Sequence, residues 1–253
     1  MGSAMLLVTT CLLTAGGPGQ GLFFDVLPTV TDSSALVQLR PTCRWLNANV
    51  DVDGHVITIT KPPTLHLRLT VGSRNAKIAE SDFVLSVAPV LVRGHLMVPL
   101  RFVAEGFGAW VDFSGRQIKL SVPQEQQAVV IATPPHPQSH IGKMYAVLSR
   151  YLDLAPPPKA AEAPLYHFNL LSRRYKHQLA ANGRTPEAAE QSLRERNIAG
   201  ARVERDHYDG TLRGWLDVVM LSKSNTVTHR RVSFVKEADG WKVDDVGPIP
   251  RQK

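Results

Sequence analysis

The sequence predicts an α+β protein with a β-rich N-terminal half and a C-terminal half in which three helices precede four strands. Two observations carry this prediction. The first is an internal repeat within residues 22–123. The second is a change in apolar periodicity after residue 139, to the spacing of helices and then back to the two-residue spacing of strands. Helices followed by a run of antiparallel strands are typical of the α+β class.

The internal repeat aligns residues 35–60 with residues 96–121 without gaps, at an offset of 61. Eight of the 26 aligned pairs are identical, and Arg40 aligned with Arg101 is one of them. Each copy reads as a short extended run, a short helix and two alternating runs joined by a glycine-containing tight turn. We therefore expect two repeated strand-helix-strand-strand units.

The second copy carries a motif of a known family. Residues Leu96–Glu105 and Gly108–Asp112 resemble the signature of the copper amine oxidase N-terminal-like (stalk) domain. The resemblance covers residues 25–123 and implies a non-catalytic scaffold or interaction module of an exported bacterial protein, because the copper and quinone of those oxidases lie in a separate domain. The first copy departs from the signature, with Gln38 replacing the proline and Arg44 replacing the glutamate.

Arg40, Arg101 and Glu105 are the polar residues of this motif. Arg101 and Glu105 are four residues apart on the predicted short helix, a spacing that allows an ion pair. Arg40 takes the place of Arg101 in the first copy. We expect a structural role, in which each arginine bonds the backbone of a neighbouring strand; ligand binding is the alternative.

The N-terminus predicts export. An apolar segment of about 12 residues, Ala4–Ala15, is too short to span a bilayer but suits the hydrophobic part of a signal peptide. No Lys or Arg precedes Arg40, which departs from the usual basic start of such peptides. We interpret residues 1–21 as a signal segment. The expected location is secreted, or the periplasm or cell envelope, with no stable transmembrane anchor.

Proline marks the expected domain boundary. Residues 22–123 form the first predicted domain, and residues 124–138, which contain Pro134–Pro137, read as a proline-rich linker. Residues 139–253 form the second predicted domain. Because each half has its own apolar pattern, we expect the two domains to unfold independently.

The second domain predicts three helices and a four-stranded antiparallel sheet. Ser139 is the expected N-cap of the first helix, the second covers Leu165–Ala181, and Thr185 caps the third. Strands are predicted over residues 201–208, 211–221, 226–236 and 241–246. The order, which closes on Asp239–Asp245, resembles the nuclear-transport-factor-two-like (cystatin-like) cone. That fold hosts enzymes and many non-enzymes, so function does not follow from it.

The second domain offers two interpretations of His229 and Arg231, a site for a small anionic ligand and a solvent-exposed strand end, and the second is the one we favour. If the hairpin between its second and third strands turns at residues 223–224, Asp217 lies opposite Arg230. His229 and Arg231 then share the apolar face beneath the helices, where two polar groups predict the mouth of a ligand pocket. The alternative is a strand end at which both side chains reach solvent.

Charge and cysteine content narrow the possible functions. The formal net charge is +7, but basic and acidic residues alternate, so no nucleic-acid face is predicted. Cys43 is the only cysteine outside the signal segment, so it has no disulfide partner and is expected to be a small buried hydrophobe. His136 and His140 are separated by a proline that prevents a shared helix. We predict no metal and no cofactor.

The sequence contains no recognisable catalytic set. We therefore predict an exported, non-catalytic binding or scaffold protein of the bacterial cell envelope, whose partner is an envelope protein or a wall polymer. The alternative is a small-molecule enzyme that uses a pocket in the C-terminal cone. The side chains available to such an enzyme are Tyr175, Asp206, His207, Asp217 and His229.

Overall fold

The structure is a computed structural model that describes residues 21–31, 34–62, 65–154 and 164–250. Helices and strands are mixed throughout these ranges, as predicted for the α+β class. The predicted signal segment lies outside the described residues except for its last residue, Gly21. No helix of the described ranges is long and apolar enough to cross a membrane.

The front half, residues 21–132, is built mainly of short antiparallel strands. Its strands are β1 (Thr29–Thr31), β2 (Ser34–Gln38), β3 (Asn49–Asp53), β4 (Val56–Lys61), β5 (Leu65–Thr70), β6 (Asn75–Ile78), β7 (Ser81–Val84), β8 (Val90–Val92), β9 (His95–Pro99), β10 (Trp110–Ser114), β11 (Gln117–Val122) and β12 (Gln127–Ala132). Its helices are α1 (Leu39–Trp45) and α2 (Leu100–Gly106). Hydrogen bonds order the strands as β1-β2-β9-β8, β3-β4-β5-β6-β7 and β10-β11-β12.

Two four-element units of the front half have matching bounds. The first unit is β2, α1, β3 and β4, and the second is β9, α2, β10 and β11; each element of the second begins and ends 61 residues after its counterpart. Strands β2 and β9 pair antiparallel with Val37 opposite Val98, which is the same offset of 61. The neighbouring pairs, Leu36 with Pro99 and Gln38 with Met97, also correspond: each residue of one pair lies 61 positions from a residue of the other. The element bounds and the pairing of the two units thus share one offset of 61.

The core of the front half lies between the sheets and the two short helices. Leu39 and Leu100, which hold equivalent places in the two units, are both fully buried. Burial of one such side chain contributes about 1.5–3 kcal/mol. Cys43 is buried in the same core, as predicted, and burial raises the pKa of its thiol to about 12.

The back half, residues 133–250, places helices on one face of a sheet. Its elements are α3 (His140–Tyr151), α4 (Arg173–Ala181), α5 (Pro186–Arg194), β13 (Ile198–Tyr208), β14 (Arg213–Ser222), β15 (Val227–Glu237) and β16 (Gly240–Gly247). The four strands are antiparallel in the order β13-β14-β15-β16. Leu216, Val218 and Val232 pack with Met144 and Leu148 of α3. We call this face of the sheet the inner face and the opposite one the outer face.

The predicted N-caps of α3 and α5 are confirmed. The Ser139 hydroxyl accepts a hydrogen bond from the Gly142 amide at 3.0 Å, and the Thr185 hydroxyl accepts one from the Ala188 amide at 3.2 Å. Each cap satisfies an N–H group that the helix itself cannot bond, a contribution of about 1 kcal/mol.

The helix predicted over Leu165–Ala181 is wrong in its first half. Residues 168–170 form a short 3-10 turn, Leu171 is extended, and α4 begins only after Ser172. The Ser172 hydroxyl accepts a hydrogen bond from the Tyr175 amide at 3.0 Å, while Leu171 forms a parallel bridge with Val243. A helix begins where its first N–H groups find a cap, and here Ser172 supplies it.

The linker predicted over residues 124–138 is also partly wrong. Its residues 127–132 form β12, which pairs with β11. Val129 and Ile131 alternate into the core of the front half, which explains why this segment is a strand rather than a spacer.

The register predicted for the β14–β15 hairpin is wrong by one residue. Asp217 lies opposite Arg231, not Arg230. The turn takes three residues instead of two, because Asn225 adopts a left-handed φ of 63° and the Ser222 amide bonds the Thr226 carbonyl. A shift of one residue moves every side chain of a strand to the other face.

The two halves contact each other directly. Phe24 and Ala201 exchange both backbone hydrogen bonds, at 2.8 and 3.0 Å. The Gln117 side-chain amide donates to the Glu204 carbonyl at 2.8 Å. The proposed independence of the halves in unfolding stays a prediction. These bonds oppose it, as do the ion pair of Arg116 with Asp206 and the packing of Leu27 in the core of the back half.

Candidate functional site

A cavity of about 320 Å³ lies on the inner face, between the sheet and the helices. It is bounded by the C-terminal end of α3, by α4 and α5, and by inner-face residues of β14, β15 and β16. Its lining residues are Tyr151, Leu152, Leu171, Tyr175, Leu179, Arg184, Ala189, Ser192, Leu193, Arg196, Ile198, Met220, Arg230, Val232 and Val246. This volume is at the lower end of the range for small-molecule sites.

Three arginines line this cavity, and we call them the arginine set: Arg184, Arg196 and Arg230. Arg184 lies between α4 and α5, Arg196 follows α5, and Arg230 lies on β15. Within the described ranges, none of them has a carboxylate at ion-pair distance, and no carboxylate lines the cavity. Three guanidinium groups without counter-charges create a positive potential that favours an anion.

Arg196 is the most constrained member of the set. Its guanidinium lies 3.9 Å from the centroid of the Tyr151 ring, a cation–π contact. Its Nη2 atom is buried and has no hydrogen-bond partner among the described residues. Buried donors are normally satisfied, so this N–H group is positioned to bond a ligand acceptor.

The Tyr151 hydroxyl adds a neutral donor to the cavity. Burial raises the pKa of Tyr151 to about 12; the Arg196 guanidinium opposes the rise and Tyr175 reinforces it. Tyr151 therefore keeps its proton at neutral pH and can donate a hydrogen bond to an anion, but it is a poor general base.

The floor of the cavity is apolar. Leu152, Leu171, Met220 and Val232 are buried there and belong to the core of the back half. The site therefore combines an apolar interior with three guanidinium groups that pair with no carboxylate of the described residues, the arrangement expected for an organic anion that has an apolar body. Among its described lining residues there is no Asp, Glu, His or Cys to act as a base or nucleophile.

One wall of the cavity is fixed by a buried histidine. The His167 ring is nearly inaccessible, with Nε2 at 2.8 Å from Asp153 Oδ1 and Nδ1 at 3.0 Å from Glu190 Oε1. Glu190 is on α5 and also accepts from the Phe168 amide at 2.8 Å and from Arg194 Nε at 2.7 Å. Both ring nitrogens can donate only when the imidazole is protonated. The cluster ties α5 to the end of α3.

The charge states of this cluster support that protonated form. The hydrogen bond to Asp153 raises the pKa of His167, although burial opposes it. Burial raises the pKa of Glu190, but bonds from His167, the Phe168 amide and Arg194 together leave it lowered. An ionised carboxylate beside an imidazolium is the consistent assignment.

The predicted ligand residues His229 and Arg231 lie on the outer face, away from this cavity, because of the register shift. Arg231 bonds both oxygens of the fully buried Asp217, at 2.7 and 3.0 Å, and its guanidinium lies 3.6 Å from the Trp215 ring centroid. Arg205 also pairs with Asp217, at 2.9 Å. Arg231 is thus already bonded within the protein. His229 is exposed opposite Val219.

Sequence reasoning missed the arginine set. Arg230 was assigned to the face of Asp217, and Arg184 and Arg196 lie in loops whose direction no periodicity indicates. A usable signal did exist, since adjacent strand residues face opposite ways and one of Arg230 and Arg231 must face inward. The side chains proposed for an enzyme are not brought together at the cavity. Tyr175 lines it, but Asp206, His207, Asp217 and His229 do not.

The motif residues of the front half lie at its surface. Arg101 and Glu105 form the expected i, i+4 pair, with Nε 3.5 Å from Oε1. The Arg101 guanidinium lies 4.8 Å from the Phe113 ring centroid. Within the described residues neither Arg101 nor Arg40 bonds a strand backbone, which was their expected role. Arg40 is exposed in the equivalent place of the first unit.

The described residues contain no group of three or more His, Cys, Asp or Glu side chains that could hold a metal ion. His136 and His140 do not form a site: the His136 carbonyl accepts from the Ser139 amide, and the His140 ring stacks on Tyr208 at 4.6 Å. The absence of a metal or cofactor stays a prediction for the whole chain.

The comparison with protein families found a match that covers the front half. Residues 18–122 match the model of the copper amine oxidase N-terminal domain. That part of the chain is therefore similar to the non-catalytic N-terminal region of those oxidases. No curated protein matches the chain.

Proposed function

We propose that this chain is an exported, non-catalytic binding protein of the bacterial cell envelope, whose back half holds a small organic anion. The observation that carries the proposal is the arginine set, which surrounds an apolar-floored cavity without a counter-charge among the described residues. Binding rather than catalysis is supported by the chemistry of the described lining, which offers hydrogen-bond donors but no Asp, Glu, His or Cys to activate a hydroxyl group.

The remaining parts of the proposal rest on the sequence and on the element order. Export is supported by the apolar segment Ala4–Ala15. A nuclear-transport-factor-two-like cone is supported in the back half by three helices that cover one face of a four-stranded antiparallel sheet. A duplicated unit is supported in the front half by the common offset of 61. The front half is proposed to contact an envelope protein or a wall polymer.

Binding of decanoate and decanol to the full chain tests the anion site. The two probes share an apolar tail, but only decanoate carries a charge. We expect decanoate to bind about tenfold more tightly in isothermal titration, because its carboxylate can engage the unpaired guanidinium groups. The preference should weaken as salt is added, since the partly exposed charges are screened.

A matched pair of variants locates the site. Arg196→Gln should reduce the affinity for decanoate about tenfold, because it removes the buried unpaired donor. Arg173→Gln should leave it unchanged, since Arg173 is 84% exposed on α4 and does not line the cavity. Equal binding of decanoate and decanol, or equal effects of the two variants, would contradict the proposed anion site.

A further inference from the structure

Two surface grooves of the front half are lined in part by residues that correspond under the offset of 61. The first has a volume of about 390 Å³ and combines residues of the second unit with the start of β2 and the end of β7. The second, of about 470 Å³, combines residues of the first unit with the start of β9. Arg101 lines the first groove and Arg40, its counterpart, lines the second. The grooves are therefore equivalent places in the two units.

Only the first groove is lined by phenylalanine rings. Phe83 is 42% exposed and Phe113 is 38% exposed, although both are large apolar side chains. Phe102 supports Phe83 edge-to-face, with ring centroids 6.0 Å apart. At the place of Phe113 the second groove has Val52. The common fold of the two units therefore does not require these rings, and exposed apolar surface that folding does not require points to a binding role.

The first groove also adjoins an open sheet edge. Strand β7 is the last strand of its five-stranded sheet, and all four of its residues are exposed. Edge strands are usually protected by lysine, proline or a covering segment, because their free N–H and C=O groups can pair with another chain. Strand β7 contains neither Lys nor Pro, and its Val84 is 75% exposed.

The charges at the first groove cancel. Arg101 pairs with Glu105, and Asp82 of β7 pairs with Lys77 at 3.3 Å. The second groove, in contrast, is lined by Arg40 and two histidines and by no acidic residue. The first groove is thus complementary to an uncharged segment. The free edge of β7 favours a peptide over a wall polymer, because the backbone of a peptide can form a row of hydrogen bonds with the free N–H and C=O groups of the strand.

We propose that the first groove docks an extended, uncharged peptide segment of a partner protein. The segment adds a strand to the free edge of β7 and inserts an aromatic or branched apolar side chain into the groove that Phe83 and Phe113 line. This inference deepens the part of the proposed function that concerns the front half, and it is independent of the anion cavity.

A capped seven-residue peptide of alternating threonine and phenylalanine tests this docking on the full chain. In nitrogen-15 NMR titrations, we expect the peptide to shift the backbone signals of Ser81–Val84 and of Phe113. The same peptide with alternate amides N-methylated should not bind, because it cannot form the ladder. Equal binding of the methylated peptide, or no binding of either peptide, overturns the proposal.

Variants at equivalent places in the two units supply the matched control. Phe113→Ala should weaken peptide binding about tenfold, since it removes a ring that contacts the inserted side chain. Val52→Ala should leave binding unchanged. Equal weakening by the two variants would assign the effect to the general stability of the front half and overturn the proposal.

Two further measurements separate other occupants. If chitotetraose, a soluble glycan, shifts the groove signals and the peptide does not, the groove binds a wall polymer and the proposal is wrong. If sedimentation shows a dimer of the full chain that Phe113→Ala dissolves, the occupant is a second copy and the proposal is again wrong. Decanoate titrated into the same samples reports separately on the anion cavity, so that failure of one site is distinguished from failure of the other.

Discussion

Arg230 and Arg231 are neighbours on β15 but belong to opposite sides of the back half. Arg231 lies on the outer face, where the buried Asp217 and the Trp215 ring occupy its guanidinium. Arg230 lies on the inner face and lines the cavity, where none of the described lining residues carries a carboxylate. On the outer face the positive charge neutralises a buried acid. On the inner face no described carboxylate pairs with it, and we propose that it binds a ligand.

The largest expected effect is loss of the outer-face ion cluster. Asp217→Ala should lower the free energy of unfolding by about 3 kcal/mol, because it leaves two arginines without their buried partner. Urea unfolding followed by circular dichroism measures this. The control is Asp245→Ala, an exposed acid of β16, which should change stability by less than about 0.5 kcal/mol. Equal effects would show that the buried ion cluster contributes no more to stability than an exposed acid of the same face.

The second expected effect separates binding from stability at adjacent residues. Arg230→Gln should weaken decanoate binding about tenfold while it changes the free energy of unfolding by less than about 0.5 kcal/mol. Arg231→Gln should do the reverse, because it breaks a bidentate bond to Asp217 and does not line the cavity. If both variants lose binding in proportion to lost stability, the two faces do not act separately.

The third expected effect concerns the cluster of His167, Asp153 and Glu190, whose histidine gains and loses a proton as the pH changes. The pKa of His167 is raised above its ordinary value of 6.5. Its protonated ring therefore contributes stability that is fully present below pH 6.5 and is lost as the pH rises through the folded-state pKa. Unfolding midpoints should fall over that window.

The variant His167→Gln should flatten this pH dependence. His177→Gln, which changes an exposed histidine of α4, should retain it. A pH dependence that persists in His167→Gln would show that the cluster does not hold α5 through a protonated ring.

The smallest expected effect is at His229. His229→Gln should alter neither decanoate binding nor stability measurably, since the side chain is exposed on the outer face. Weaker binding in this variant, measured by the same titration, would restore the sequence-based prediction that His229 contacts the ligand.

The parts of the fold that local chemistry determines were predictable. Ser139 and Thr185 indicated two helix starts because a hydroxyl acceptor before a helix has a specific bonding role. The α+β class followed from apolar periodicity. The start of α4 was missed because the apolar residues before Ser172 continue a helical spacing although Leu171 is extended and bridged to Val243.

The candidate site was less predictable because it depends on register. A two-residue turn at residues 223–224 needs a left-handed φ at one or both of those residues, whereas the observed three-residue turn places the left-handed φ at Asn225. Asparagine tolerates that conformation better than most residues do, but it does not require it. The conformation of this turn therefore decides which of Arg230 and Arg231 faces the cavity. Arg184 and Arg196 lie in loops, where no periodicity indicates the direction of a side chain.

The bridge between Phe24 and Ala201 has a consequence for the order of events during synthesis. Its partners are 177 residues apart in the chain (201 minus 24). A ribosome releases the chain from the N-terminus, so Phe24 emerges long before its partner exists. Contacts of such high sequence separation form late and slowly. The side chain of Phe24 packs in the core of the front half, but its backbone N–H and C=O groups should stay open to solvent or to a chaperone until β13 has been made.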